Sequence, residues 1–272
     1  MSSTRTIGWR MGWLRWLAFA VSGVVLAAAG HASRADDARA ANAQGADAQA
    51  DARAAGADAS RPQKIGIVGT GHIGGTLAKL WAQAGYEIMI SSRHPAELEA
   101  LARALGPKVR VGTPQQAAAF GDVVLISVPY KALPELGHDL ARELAGKVVL
   151  DTGNPYPQRD GPMANEARRE GTGVASAKYL PGVRLVRAFN AIKWTDLASE
   201  AHRSGELVGI PLAGSDPGAL AIAARLVRDA GFDPVIVGDL STAKKFDVGT
   251  PVYVQLLTAR ELRRELGLEG GS

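Results

Sequence analysis

The sequence predicts an α/β protein in which a doubly wound, mostly parallel sheet forms a single compact domain behind an N-terminal segment of different character. Three observations carry this. From residue 64 onward, short apolar runs alternate with stretches whose apolar residues recur at helical spacing. The run "DVVLISVP" is apolar almost throughout, as a strand covered by helices on both faces must be. The first apolar run passes directly into a glycine-rich turn and a helical pattern, the opening of a strand–helix–strand crossover.

The first strand is "KIGIV" (64–68), and residues 73–84 set Ile73, Leu77, Leu80 and Ala84 at helical spacing until Gly85 stops them. "YEIMIS" (86–91) is the second strand. A helix near 95–104, a short strand "VRV" (109–111) and a helix near 114–120 follow. The fourth strand is 122–129; then come a helix near 132–144, strand "KVVLDT" (147–152) and strand "RLVRAFN" (184–190). Beyond Asn190 the class is unchanged. "ELVGIPLAG" (206–214) is a strand, and "SDPGALAIAARLVRDAG" is a helix with Asp216 as cap, Pro217 in its first turn and Gly231 past its end. Strand "DPVIVG" (233–238) and a helix near 251–266 close the chain. No long all-helical second domain fits in the remainder, and no internal repeat is present.

The preceding residues differ in chemistry. Residues 1–35 combine a basic front (Arg5, Arg10, Arg15), an uncharged run from Trp16 to Gly30 and then small residues, the plan of a secretory signal peptide. That run is 15 residues, short of the roughly 20 that a spanning helix requires. A periplasmic or secreted location is therefore expected, with membrane association through residues 16–30 on the cytoplasmic face as the alternative. Residues 36–62 are rich in Ala and Asp and hold no large apolar residue, so they read as a disordered linker. The folded domain is expected to span 63–272.

Composition excludes several function classes. The 46% apolar content suffices for a core, and the 31 basic against 27 acidic side chains include three arginines in the first fifteen residues. No Lys/Arg run with interleaved aromatics argues for nucleic acid. Cysteine is absent, which removes disulfides, thiol catalysis and thiolate metal sites. The five histidines (His31, His72, His94, His138, His202) show no metal-ligand spacing.

The chemistry lies in "GTGHIGG". Gly69, Gly71 and Gly74 form G-x-G-x-x-G between a strand and a helix, with a second strand about thirty residues on. Gly69 makes the tight turn, Gly71 admits a pyrophosphate to the backbone, and Gly74 lets helix and strand pack, with the helix N-terminus facing the anion. This is the NAD(P)-binding Rossmann arrangement. An NAD-selective unit ends its second strand on a carboxylate; here Ser92 and Arg93 stand there. A guanidinium and a hydroxyl suit the 2'-phosphate of NADP(H) instead. His94 beside them reads as a bystander.

Ligands lie outside the carboxyl ends of such strands. Those ends carry Thr70, His72 and Ile73, then Ser92 and Arg93, then Val128, Pro129 and Tyr130, then Gly153 and Asn154, then Asn190 and Ala191. Asn154 and Asn190 suit a carboxamide or ribose, or else merely end their strands. Tyr130 packs on the cofactor or on the core. No acid/base constellation stands out. Asn154, Asn190 and Lys193 are the weak catalytic candidates, Lys193 as a proton donor. Hydride passed between two cofactors needs alignment more than a protein acid.

The stretches "KIGIVGTGHIGGTLAKLWAQAGYEIMISSRHP", "DVVLISVPY", "DTGNPYPQRDG" and "VRAFNAI" together resemble the NADPH-dependent reductase family typified by the coenzyme F420-dependent NADP oxidoreductases, over about residues 63–255. The reductase domain of the STEAP proteins is a relative. The resemblance implies a phosphate loop on Thr70, Gly71, His72 and Ile73, a 2'-phosphate pair on Ser92 and Arg93, a cofactor edge on Val128 and Pro129, and a nicotinamide side near Asn154 and Ala191. It implies hydride exchange between NADPH and coenzyme F420, a flavin or a ferric acceptor. A non-catalytic NADP-binding module stays open as an alternative, as does a homodimer. Imine reductases and 3-hydroxyacid dehydrogenases begin similarly but continue into a long helical domain.

Overall fold

A computed structural model describes residues 64–268; the expected signal or anchor (1–35) and linker (36–62) lie outside the described residues. The strands are β1 (Lys64–Val68), β2 (Glu87–Ser91), β3 (Val109–Gly112), β4 (Val123–Ile126), β5 (Val148–Asp151), β6 (Arg184–Arg187), β7 (Gly209–Gly214) and β8 (Asp233–Gly238). The helices are α1 (His72–Gln83), α2 (Glu99–Leu105), α3 (Pro114–Phe120), α4 (Leu133–Asp139), α5 (Ala141–Leu144), α6 (Pro157–Asp160), α7 (Pro162–Glu170), α8 (Thr172–Tyr179), α9 (Trp194–Ser199), α10 (Pro217–Asp229) and α11 (Ala259–Glu265).

The strands form one sheet in the order β3-β2-β1-β4-β5-β6-β7-β8. Every pairing is parallel except β6 with β7. Strand order reverses between β1 and β4, and the crevice outside their carboxyl ends is the place where open sheets of this kind bind ligands. After Asn190 the chain rejoins the same sheet through β7 and β8 rather than leaving for a helical domain. Among the described residues no helix is long and apolar enough to cross a membrane.

The two faces follow from the period-2 geometry of a strand. Ile65, Ile67, Ile88, Ile90, Leu125 and Leu150 face one way and pack with Leu77, Ala78 and Trp81 of α1 and with Leu226 and Val227 of α10. Val68, Val124, Ile126 and Val149 face the other and pack with Ala117 of α3, Leu133 of α4 and Ala175 of α8. Trp81 Nε1 donates to Leu226 O (2.9 Å) and Tyr86 Oη to Asp229 Oδ2 (2.5 Å), fastening α10 to α1 and to the turn before β2. Local chemistry sets the boundaries. Thr113 with Gln116 and Thr258 with Glu261 form capping boxes, and Asp216 caps α10 through Ala219 N.

Several expected boundaries move. β4 stops at Ile126, and Pro129 leads into a short 3-10 turn at Tyr130–Ala132. β6 stops at Arg187, because Phe189 adopts φ 57° and turns the chain before Asn190. The helix near 132–144 is two, α4 and α5, interrupted at Leu140. The closing helix begins only at Ala259, after Val254 with φ 54°.

Inside the sheet one ion pair is completely buried. Asp151 and Arg187 are register partners at the ends of β5 and β6, and both side chains have no exposure. Arg187 Nη1 donates to Asp151 Oδ2 (2.6 Å) and Asp151 O (3.1 Å), and Nη2 donates to Gly153 O (2.6 Å). Asp151 Oδ1 accepts from Gly153 N (2.8 Å). The pair therefore grips both backbone groups of the residue that leaves the sheet. Removing one partner strands a buried charge, so Arg187→Met is expected to cost about 3–5 kcal/mol in urea unfolding, with the D151L/R187M double variant nearer the parent. A single variant within about 0.5 kcal/mol of the parent would contradict this role.

Candidate cofactor and acceptor site

The turn between β1 and α1 is built for close approach. A Cβ at Gly74 would lie 2.1 Å from Gly69 O, so helix and turn touch backbone to backbone there. A Cβ at Gly71 would meet nothing within 4 Å; it points into open cleft. Gly71 is the N-cap of α1 and no side chain caps that end, leaving the first-turn N–H groups to face the cleft. Thr70 Oγ1 donates to Ser91 O (2.9 Å) and the buried Ser91 Oγ to Ile67 O (2.8 Å), locking the turn to the end of β2.

Past that point Ser92 Oγ accepts the His94 N–H (3.0 Å), which leaves its own proton to donate outward. Arg93 is exposed and makes no ion pair among the described residues. Both border a groove of about 450 Å³ whose other walls include Gly69, Gly71, Val128 and Pro129. Pro114, Ala132 and Leu136 give it an apolar side suited to a flat base, and Glu135 and Asp139 line it as well. His94 does not line it.

A second cleft of about 600 Å³ continues from the first, sharing Gly71, Ser127, Val128 and Pro129. Ile73, Asn154 and Lys193 line it. Asn154 is 9% exposed; its Nδ2 donates to Asn190 O (2.8 Å) and to Tyr253 Oη (3.4 Å), while its Oδ1 is buried without a partner. Asn190 is buried behind it and donates to Phe246 O (3.4 Å), so it supports Asn154 rather than facing the cleft. Ala191 is likewise buried, and its carbonyl accepts the N–H of Val254 (2.8 Å). Tyr130 belongs to the core, its hydroxyl 3.3 Å from Ser176 Oγ.

The far wall holds residues that sequence reasoning passed over. Tyr156 and Tyr253 share a hydroxyl–hydroxyl hydrogen bond of 2.5 Å. Burial, then the bond to Tyr156, raises Tyr253 above the ordinary phenol range and keeps it protonated at neutral pH. The His72 ring stacks on Trp194 at 4.2 Å between centroids and 15° between planes, although Trp194 is 46% exposed. Arg159 reaches the cleft from α6. A signal for it stood in "NPYPQRDG", polar text directly after a strand end. Nothing local marks Tyr253 or Val254, which arrive from the other end of the domain.

Whether these residues fit a dinucleotide is decided by three features: the open space over Gly71 at an uncapped helix end, the unpaired Arg93 beside Ser92, and Asn154 on the wall of the second cleft, its buried Oδ1 without a partner. All match the demands of NADP(H), namely pyrophosphate, 2'-phosphate and carboxamide. Fold and site together define a doubly wound dinucleotide-binding domain whose clefts suit NADP(H).

Comparison with known proteins agrees. Residues 64–155 match the family described as NADP oxidoreductase, coenzyme F420-dependent. Over 185 residues the chain is 25% identical to Metalloreductase STEAP3 of Rattus norvegicus, a match that takes in 68% of this chain and 36% of that protein. The chain thus spans little more than a third of that relative. Among solved structures, the hypothetical protein SMa0349 from Sinorhizobium meliloti superimposes with a TM-score of 0.62 at 25% identity, covering 73% of this chain and 96% of that one. A putative F420-dependent NADP-reductase from Arthrobacter sp. FB24 gives 0.57 at 25%, covering 67% and 87%. The resemblance read from the sequence holds.

Two glycine substitutions separate binding from folding. Gly71→Ala adds a methyl only to the cleft, so urea stability should hold while NADPH affinity falls roughly tenfold or more. Gly74→Ala forces the helix from the turn and should cost about 1–3 kcal/mol of stability. Fluorescence titration of NADPH beside urea melts checks both; loss of stability in Gly71→Ala with affinity retained would contradict the assignment.

Proposed function

We propose that this chain is an NADPH-dependent reductase that passes hydride to a second redox group of the deazaflavin or flavin kind; a ferric chelate is a further acceptor through a reduced flavin, two ferric ions taking one electron each per hydride. One observation carries this: a single continuous cleft runs from Ser92 and Arg93, over the β1–β4 crevice, to an aromatic and polar chamber at Asn154, Tyr156, Trp194 and Tyr253. What bound NADPH supplies is a hydride, which a flavin-type ring takes up together with one proton from water.

The chain's own part is alignment and exclusion of water. Ser92 and Arg93 hold the 2'-phosphate, Gly71 and the N-terminus of α1 the pyrophosphate, Val128 and Pro129 the edge of the cofactor, and Asn154 Oδ1 the carboxamide. Lys193 lines the acceptor chamber and is the proposed weak candidate for a proton donor. The matched family's description and the name of the rat relative support the two acceptor classes. Residues 1–35 are proposed to export the domain or to anchor it on the cytoplasmic face. N-terminal sequencing after cell fractionation separates these, since a mature N-terminus near Ala35 in the periplasm removes the anchor.

Stopped-flow oxidation of NADPH with deazaflavin, flavin or ferric chelate is the direct test. Turnover with at least one is expected; tight NADPH binding with none would leave a non-catalytic NADP-binding module. For cofactor choice, Arg93→Asp is expected to weaken NADPH by roughly 10- to 100-fold and NADH far less. Equal loss of both would remove Arg93 from the selection.

A further inference from the structure

Five ionisable residues line the acceptor chamber (His72, Tyr156, Arg159, Lys193 and Tyr253), and none is a carboxylate. Arg159 is the most constrained of them. The buried Asp160 carboxylate holds one edge of its guanidinium, accepting from Nε at 2.9 Å and from Nη2 at 2.8 Å, while Nη2 also donates to Asn154 O at 2.7 Å. Asp160 is fixed in turn by the N–H groups of Tyr156 (2.9 Å) and Lys131 (3.2 Å). Burial alone would raise the Asp160 carboxyl, but Arg159 and those two N–H groups outweigh it and hold the group below the usual carboxylate range. The guanidinium also lies over the Tyr156 ring, 5.1 Å from its centroid. Its remaining group, Nη1, has no partner among the described residues, although the side chain is 42% exposed.

Lys193 borders the same chamber just before α9 and has no ion pair or side-chain hydrogen bond among the described residues. The acid nearest to it in sequence, Asp196, accepts from Thr195 Oγ1 (3.1 Å) and does not line the chamber. A guanidinium whose orientation is fixed by a buried acid, lining the same cleft as an unpaired ammonium, supplies the two kinds of cation that bind phosphate. It is separate from Arg93, which serves the other groove.

We infer that Arg159 and Lys193 form a phosphate-binding end of the acceptor chamber, so that the acceptor is a planar redox coenzyme bearing a phosphate beyond its ring. This rests on the reductase reading above. The two can fail separately. FMN and riboflavin share one ring and differ in a phosphate, and quenching of their fluorescence by the full-length protein gives both affinities with no turnover required.

FMN is expected to bind about tenfold or more tightly than riboflavin, a ratio that collapses toward one in Arg159→Met and in Lys193→Met and is partly kept in Arg159→Lys. Taking the ratio cancels any shift of the Asn154 loop, which would weaken both flavins alike. Salt should lower the ratio in the parent. Equal affinities in the parent, no binding of FMN, or a ratio unchanged in both Met variants would overturn the inference. NADPH oxidation measured alongside tests the reductase reading itself: absence of turnover with the ratio intact removes that reading and leaves the phosphate site standing.

Discussion

The buried pair between Asp151 and Arg187 is the constraint on which the working end of this molecule depends. It lies at the carboxyl ends of two adjacent strands, where the chain must leave the sheet without a helix to guide it. Burying two charges is costly, and an apolar pair would serve stability about as well. What an apolar pair would not do is hold Gly153 by its N–H and its carbonyl at once. Asn154 follows directly and is held in turn by the carbonyl of Asn190. We attribute to this chain of contacts the fixed position of Asn154 on the wall of the second cleft.

The cleft owes its form to topology. At the strand-order reversal between β1 and β4, the chains leaving the two strands go to opposite faces of the sheet, and the gap between them is floored by Gly71, Val128 and Pro129. On one side the turn after β2 supplies Ser92 and Arg93. On the other, residues far apart in sequence converge: Tyr156 and Arg159 after β5, Lys193 and Trp194 after β6, Tyr253 and Val254 before α11. Val254, a β-branched residue at positive φ, is tied through its N–H to Ala191 O, so a strained segment closes this side.

The sequence was most legible where chemistry is local. β1, the glycine turn, α1 and β2 are contiguous, each with its own periodicity or stop signal, and Ser92 and Arg93 lie where strand order requires. The cap at Asp216 and the stop at Gly231 were legible for the same reason: Asp216 accepts the Ala219 N–H, and Gly231 takes φ 88°. Legibility failed where tertiary contact decides. α7 buries only Ala164 and Ala167, too little apolar surface for a period to appear. Phe189 and Val254 break an expected strand and helix because the site demands a turn there. Arg187, ending β6 just before the apolar Ala188 and Phe189, was itself a signal that a partner must be buried beside it, and Asp151 was the acid ending the neighbouring strand.

The central claim is that a single cleft holds NADP(H) with its 2'-phosphate at Ser92 and Arg93 and its carboxamide at Asn154. A crystal structure of the protein with NADP⁺ tests this most directly. The account predicts density running from Arg93 across Gly71 to Asn154, with the Asn154 amide in contact with the nicotinamide end. A nucleotide bound elsewhere, or one lying over Gly71 with its phosphate turned away from Arg93, would contradict it.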